Sequence, residues 1–208
     1  MNKLSYKEQI ALVNSVSEDS KKDSKEAKKK LLSYIKEYRL DTSSEHDLMY
    51  LFVINPAKVD VREVLFAYFC EHALFEEPEN MLVDAFLKEP TNFYLKKVLL
   101  VYITNTEHSL FNSNVTKLVN AFISNPTNGS VKRVLIAYFR EHRLFEEHEI
   151  KLVDAFEKEP TNVDVRKVLL TYIERRSLYH KSAAKLLNAV SQTSKASPKP
   201  PKAILLLY

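Results

Sequence analysis

Residues 151–173 read KLVDAFEKEPTNVDVRKVLLTYI, and residues 81–103, seventy positions earlier, read MLVDAFLKEPTNFYLKKVLLVYI. Each copy consists of an apolar run, a Pro-Thr-Asn turn and a second apolar run. Proline cannot continue a helix, and Thr or Asn can cap the next one. The stretch therefore predicts two helices joined by a proline-centred turn. The likeness extends over 56–103 and 126–173, which share 30 of 48 positions without a gap, so two such units were duplicated together.

Tyrosine marks the register of the repeat along the chain. Six tyrosines recur at spacings of 34 or 36 residues, and each ends an apolar run: Tyr34, Tyr68, Tyr102, Tyr138, Tyr172 and Tyr208. Apolar residues at i, i+3, i+4, i+7 and i+8 predict one buried face of the helix after each turn, as in Val61, Val64, Leu65, Tyr68 and Phe69. We therefore expect the tyrosines, with Phe86, Phe122 and Phe156, to lie in the core rather than to stack on bases.

These patterns predict an all-α fold. Short helix pairs bury their apolar faces only by stacking on further pairs. We expect an α-solenoid of about six antiparallel helix pairs, in a right-handed superhelix that forms a single helical-repeat domain over 1–208. The expected units cover about 1–42, 43–78, 79–112, 113–147, 148–181 and 182–208.

Composition argues against several classes of function. The chain has one glycine, Gly129, so it has no glycine-rich phosphate loop and no dinucleotide fingerprint. A lone Cys70 gives neither a disulfide framework nor a cysteine zinc site. His72 and His142 each stand beside a glutamate, but we expect solvated loop residues rather than a metal or acid–base site. We predict no catalytic residues, no metal site and no cofactor, and hence a protein that is not an enzyme.

Residues around each proline resemble a known repeat family. Ala85, Phe86 and Pro90 recur as Ala121, Phe122 and Pro126 and as Ala155, Phe156 and Pro160. With a 34-residue helix–turn–helix period, this pattern resembles the tetratricopeptide repeat. The chain has no Trp, and its residues at the family's glycine position are Phe66, Leu100, Ile136 and Leu170.

The resemblance implies a place for a partner. In tetratricopeptide solenoids, the helices that follow each turn line a concave groove that holds an extended peptide. The equivalent row here is small in the middle and mostly basic at one rim, which suits a protein or peptide partner with carboxylates. The predicted groove residues are Lys97, Val101, Arg133, Ala137, Arg140, Lys167 and Thr171. A plain solvated helix face is the alternative.

Charge is unevenly distributed and leaves other functions open. The net charge is +4 over 1–40, −6 over 41–173 and +6 over 174–208. A nucleic-acid-binding helical repeat that uses the basic ends ranks second, because the middle is acidic. The regulatory part of a larger protein is a third hypothesis. For the stretches KKDSKEAKKK (21–30) and SKASPKPPK (194–202) we expect solvated turns, and contact with phosphates or anionic lipid is the alternative.

Partners and location follow as expectations. The apolar segment AILLLY, from Ala203 to Tyr208, has no following helix to cover it, so we expect either a fragment of a longer array or self-association through this end. The amino end is too polar for a cleaved signal peptide, and no apolar run is long enough to cross a membrane. We expect a cytoplasmic protein. Secretion without a cleaved signal, as an effector, is a further hypothesis from composition.

Overall fold

The chain folds into α-helices throughout the part that the structure describes. The structure is a computed structural model, and it describes residues 3–17, 21–105 and 109–196. No strand occurs in these ranges, so the prediction of an all-α helical-repeat fold is confirmed. The helices are α1 (Tyr6–Ser17), α2 (Lys21–Ile35), α3 (Thr42–Ile54), α4 (Val59–Glu71), α5 (Glu76–Lys88), α6 (Phe93–Asn105), α7 (Asn112–Ser124), α8 (Gly129–Glu141), α9 (Glu146–Lys158), α10 (Val163–Ile173) and α11 (His180–Ala196).

The chain divides into two compact units, Met1–Asn114 and Val115–Tyr208. In the first unit, α3 packs between α1 and α5, while α4 packs between α2 and α6. The pairs α1–α2, α3–α4 and α5–α6 connect these two layers. In the second unit, α8 packs on α10, and α9 packs on both α10 and α11. Odd-numbered helices thus form one layer and even-numbered helices the other within each unit. The single domain over 1–208 and the superhelical hand stay predictions.

Asparagine ends most of the proline-centred turns and begins the next helix. The Asn128 side chain accepts hydrogen bonds from the backbone N–H of Ser130 and Val131, and Asn162 does the same for α10. Asn92 accepts equivalent bonds at the start of α6. These bonds satisfy backbone donors that the first turn of a helix leaves without a partner.

The predicted core is confirmed in most positions. Five of the register tyrosines are buried, and so is the complete apolar stripe predicted for α4. Phe86 and Phe122 are also buried. Phe156 is half-buried, and its neighbour Ala155 takes the core position in α9 instead. Tyr208 and the predicted self-association segment 203–208 lie outside the described residues.

The lysine-rich stretch 21–30 is helical, which corrects the expectation of a solvated turn. It contains no Gly or Pro, and Lys, Glu and Ala all have high helix propensity. One side of α2 is also anchored, because Ala27 and Leu31 are buried. The Ser24 hydroxyl is buried as well and donates to the Val16 carbonyl at 3.1 Å. These contacts fix which lysines face solvent.

Candidate partner-binding surface

The even-numbered helices carry all the predicted groove residues. In the second unit, α8 presents Arg133, Ala137 and Arg140, and the adjacent α10 presents Lys167 and Thr171. Residues at i, i+4 and i+7 lie on one side of a helix, and α8 and α10 are in contact. These five residues therefore form one continuous face, which we call the α8–α10 face.

Three exposed cations border the α8–α10 face. Arg133, Arg140 and Lys167 have no carboxylate within ion-pair distance among the described residues. Ala137 and Thr171 between them are half-buried. The Thr171 hydroxyl donates to the Lys167 carbonyl at 2.8 Å, so it is turned toward its own helix. The face is thus a small-residue strip with three cations beside it, and the exposed Glu174 holds at the end of α10 the position that Arg140 holds on α8.

The first unit carries the remaining two predicted residues on α6. Lys97 is exposed and Val101 is half-buried. The Lys97 ammonium lies 5.7 Å from the ring centroid of Phe66 on α4, within cation–π range. Phe66 stands where the predicted tetratricopeptide pattern has glycine. Its ring thus helps to position a cation at the surface.

A neighbouring row of basic residues is engaged between helices. Lys28 on α2 pairs with Asp60 at 2.7 Å and also contacts Glu63, both on α4. Lys132 pairs with Asp164 in the same way between α8 and α10. Lys132 and Arg133 are adjacent in sequence, yet their side chains differ in role, since Lys132 ties two helices together and Arg133 is presented to solvent.

Buried carboxylates join three successive helices, and the sequence analysis missed them. Glu79, fully buried near the start of α5, accepts from the Tyr102 hydroxyl at 2.8 Å and from the Phe111 backbone N–H at 2.8 Å. Glu149 accepts from Tyr172 at 2.6 Å and from the Tyr179 N–H at 2.8 Å. Glu45 repeats the arrangement with Tyr68 and Phe75. Five register tyrosines lie in the core as predicted, and the hydroxyls of Tyr68, Tyr102 and Tyr172 each bind a buried carboxylate.

Each buried carboxylate has a third polar neighbour, which is an arginine within ion-pair distance in two repeats and a hydrogen-bond donor in the other. Arg39 lies 3.6 Å from Glu45 and stacks on Phe75, with its guanidinium carbon 3.5 Å from the ring centroid. Arg143 stands 4.0 Å from Glu149 and stacks on Tyr179 at 3.9 Å. Glu79 has alanine at the arginine position and receives the Asn114 amide at 2.9 Å instead. A glutamate 23 residues before a register tyrosine was the signal available in the sequence.

Burial shifts the pKa values of Glu45, Glu79 and their partner tyrosines. Loss of solvation raises the pKa of Glu79, and hydrogen bonds from Asn114, Tyr102 and Phe111 oppose the rise. Desolvation likewise raises the pKa of Glu45. The pKa values of the partner tyrosines are raised by burial and then by the glutamates. The tyrosines therefore act as donors.

Glu79 is expected to make stability depend on pH in a definite direction. Its pKa in the folded protein lies above that in the unfolded chain, so folding takes up a proton. The resulting stabilisation is complete below the unfolded pKa, about 4.3, and is lost as pH rises through the folded pKa. Urea unfolding at several pH values should show wild type losing stability relative to Glu79→Gln. The loss should be about 1.4 kcal/mol for each tenfold difference in proton affinity between the folded and unfolded states.

The control for this pH dependence is Glu71→Gln, at an exposed position at the end of α4. The stability difference between wild type and this variant should not change with pH over the same range. A Glu79 difference that is flat, or one that grows in favour of wild type as pH rises, would contradict the prediction.

The histidines and Cys70 have local structural roles. The His72 side chain is half-buried, and its Nε2 lies 2.7 Å from the Ile35 carbonyl at the end of α2. It is therefore not the solvated loop residue that the sequence predicts. His148 is fully buried with its Nε2 2.7 Å from the Thr116 hydroxyl, and desolvation lowers its pKa. Cys70 is exposed, and its sulfur accepts from Asn105 at 3.7 Å.

Neither a metal cluster nor a membrane span is found in the part of the chain that the structure describes. No group of three or more His, Cys, Asp or Glu side chains there is arranged to hold an ion. None of the helices in the described ranges combines the length and apolarity that crossing a bilayer requires. Comparison with protein-family models, curated proteins and solved structures gave no match. The tetratricopeptide resemblance therefore stays a prediction from the repeat pattern.

Proposed function

We propose that this protein is a non-enzymatic interaction scaffold that binds an acidic, extended peptide on the exposed faces of even-numbered helices, α8 and α10 in the second unit and α6 in the first. The observation that carries the proposal is the α8–α10 face, where Arg133, Arg140 and Lys167 are exposed and have no acidic partner among the described residues. Lys97 and Val101 on α6 offer a similar pair of side chains in the first unit.

The chemistry of the face suits carboxylates. A guanidinium presents a planar fork of donors that matches a carboxylate in a bidentate geometry, and a lysine adds a mobile point charge. The half-buried Ala137 and Thr171 leave room for a peptide backbone to approach between the cations. Like-signed cations along a strip also steer an acidic chain during encounter.

Catalysis is not part of the proposal because the perturbed carboxylates are enclosed. Glu45 is 1% exposed and Glu79 is 0% exposed. Their oxygens are occupied by tyrosine hydroxyls and backbone N–H groups. A general acid or base must reach the proton that it transfers, and these groups offer no such access. They support the scaffold.

We also propose a reducing, cytoplasm-like compartment, since Cys70 is an exposed free thiol. A thiol at the surface is readily oxidised or paired outside such a compartment. Labelling of Cys70 with a thiol reagent in fractionated cells checks this: fully reduced Cys70 is expected in the soluble fraction, and a blocked thiol would argue against it.

Peptide selection tests the function directly. A random peptide library panned against the whole chain should yield sequences enriched in Asp and Glu. For a selected peptide, reversing charge in Arg133→Glu with Lys167→Glu should weaken binding by more than about 100-fold, because two attractive contacts become repulsive. Fluorescence anisotropy with the labelled peptide measures the effect.

A matched variant separates this face from net charge. Lys158→Glu with Lys181→Glu changes net charge by the same amount at exposed positions on the odd-numbered helices α9 and α11. It should leave peptide affinity within about threefold of wild type. If both double variants lose the peptide equally, or if selection yields no acidic preference, the groove assignment is wrong.

A further inference from the structure

A lysine-lined cavity, open to solvent, lies on one side of α2 in the first unit and includes none of the residues assigned above to peptide binding. It has a volume of about 400 Å³ and is lined by Lys25, Lys28, Lys29, Leu32, Ser33 and Lys36. These positions follow the i, i+3, i+4, i+7, i+8 and i+11 pattern, so they occupy one side of the helix. The opposite side of α2 is buried through Ala27 and Leu31, so the lysine-lined side is left toward solvent.

Four lining lysines face two carboxylates of α4, so the charge of the cavity is compensated only in part. Seven lysines and two acidic residues occur between positions 21 and 36. Lys28 is held by Asp60 and Glu63 of α4, which neutralise it and fix one wall. By contrast, Lys25, Lys29 and Lys36 are exposed and have no acidic partner among the described residues.

The lining favours phosphate over other anions. An ammonium group is a compact point charge with three donors, which suits the spherical charge of a phosphate group, and the lining contains no arginine fork for a planar carboxylate. The Ser33 side chain adds a hydroxyl donor. Leu32 is half-buried and offers an apolar contact for a ligand scaffold. The volume lies within the range of small-molecule sites, about 300–1,000 Å³.

We propose that the α2 cavity binds a small ligand that carries two or more phosphate groups. Three ammonium groups spread over about three turns of helix match several phosphates better than one. The ligand is either a free polyphosphorylated compound or the phosphorylated headgroup of a lipid, which present the same chemistry to the lysines. The site goes beyond peptide binding and does not depend on it, because no residue of the α8–α10 face contributes.

Calorimetry with the whole chain tests the site and its source. Inorganic tripolyphosphate is titrated in one arm, and in the other the protein is sedimented with phosphatidylcholine vesicles with or without phosphatidylinositol bisphosphate. Wild type should bind tripolyphosphate, with affinity that falls as salt rises. Binding to the phosphoinositide vesicles alone would assign the lipid source, and binding to tripolyphosphate alone the free source; both support the site. Binding to neither would overturn it.

Charge-neutralising variants distinguish a site from general attraction. Lys25→Gln, Lys29→Gln and Lys36→Gln together should weaken binding by about 100-fold, from roughly fivefold for each exposed charged contact. The single changes at Lys29 and Lys36 should each give the smaller loss, which keeps the test valid if the triple variant is poorly folded. The control triple Lys88→Gln, Lys158→Gln and Lys181→Gln has the same net charge and should bind as wild type does.

Two results would overturn the site even where wild type binds. Equal loss in the two triple variants would show non-specific attraction to net positive charge. A DNA or RNA duplex of about 20 base pairs that displaces tripolyphosphate and loses affinity only in the α2 triple would assign the cavity to a nucleic-acid backbone instead.

Discussion

Replacing Glu79 with alanine is expected to lower the free energy of unfolding by about 3–5 kcal/mol. The carboxylate accepts from the Tyr102 hydroxyl, the Phe111 backbone N–H and the Asn114 amide, so its removal strands three donors at once. Each donor stranded away from water costs about 1–3 kcal/mol, less where solvent can still reach it. The carboxylate also joins the start of α5 to α6 and to the segment before α7. Urea unfolding followed by circular dichroism measures the loss.

The matched control for this prediction is Glu76→Ala on the same helix. Glu76 lies in the first turn of α5 but is exposed. Its loss should cost no more than about 1 kcal/mol, the size of a charge–dipole interaction at a helix start. A second variant, Tyr102→Phe, removes one of the three donors and leaves the other two. It should fall between the two alanine variants. If Glu79→Ala were as mild as Glu76→Ala, the buried network would contribute little, and helix packing alone would hold the repeats.

The helices and the core follow from local pattern. In α4, apolar residues at helical spacing end at Tyr68 and Phe69, and burial obeys that spacing because a helix has one inner side. The Pro-Thr-Asn turns are also predictable from the sequence, since proline stops a helix and asparagine caps the next. The lysine-rich start of α2 was misjudged as a turn. Its many lysines indicate a solvated segment. Their high helix propensity and the burial of Ala27 and Leu31 make it a helix instead.

The buried carboxylates could not be predicted from local pattern. A glutamate in the first helical turn usually lies at the surface, where it favours the helix dipole, and Glu76 and Glu79 are separated by less than one turn. Glu79 is buried because Tyr102 and Asn114 pack against it from other helices. The period of the repeat brings these partners close to Glu79. Composition and hydropathy carry no information about this proximity.

For the candidate surface, too, the sequence predicts the positions of the side chains but not which of them are paired. The repeat register alone put Arg133 and Lys167 at equivalent positions on adjacent helices. Which cations are available is a three-dimensional property. Lys132 reaches Asp164 on the next helix, and the adjacent Arg133 points elsewhere and finds no carboxylate among the described residues. Adjacent residues on a helix point about 100° apart, so a run of basic residues is always divided between such roles.

Replacing Phe122 with alanine is expected to cost about 3–5 kcal/mol, as large a loss as that of the buried carboxylate. Phe122 is 0% exposed on α7, so its removal forfeits the burial of a full aromatic ring and leaves a cavity in close-packed surroundings. Nothing polar is left stranded, so the loss should vary little with pH. That independence distinguishes it from the loss at Glu79. Urea unfolding at two pH values measures both properties.

Phe156→Ala is the matched control, since Phe156 occupies the same register position one unit later. Its ring is half-buried because Ala155 faces the core of α9 in its place. The alanine substitution there should cost about half as much as at Phe122. Part of the ring already lies in water in the folded protein, so less buried apolar area is lost. Equal losses would mean that the register position, rather than burial, sets the contribution of the ring. Such a result would mean that α9 is less free to rotate about its axis than the burial of Ala155 indicates.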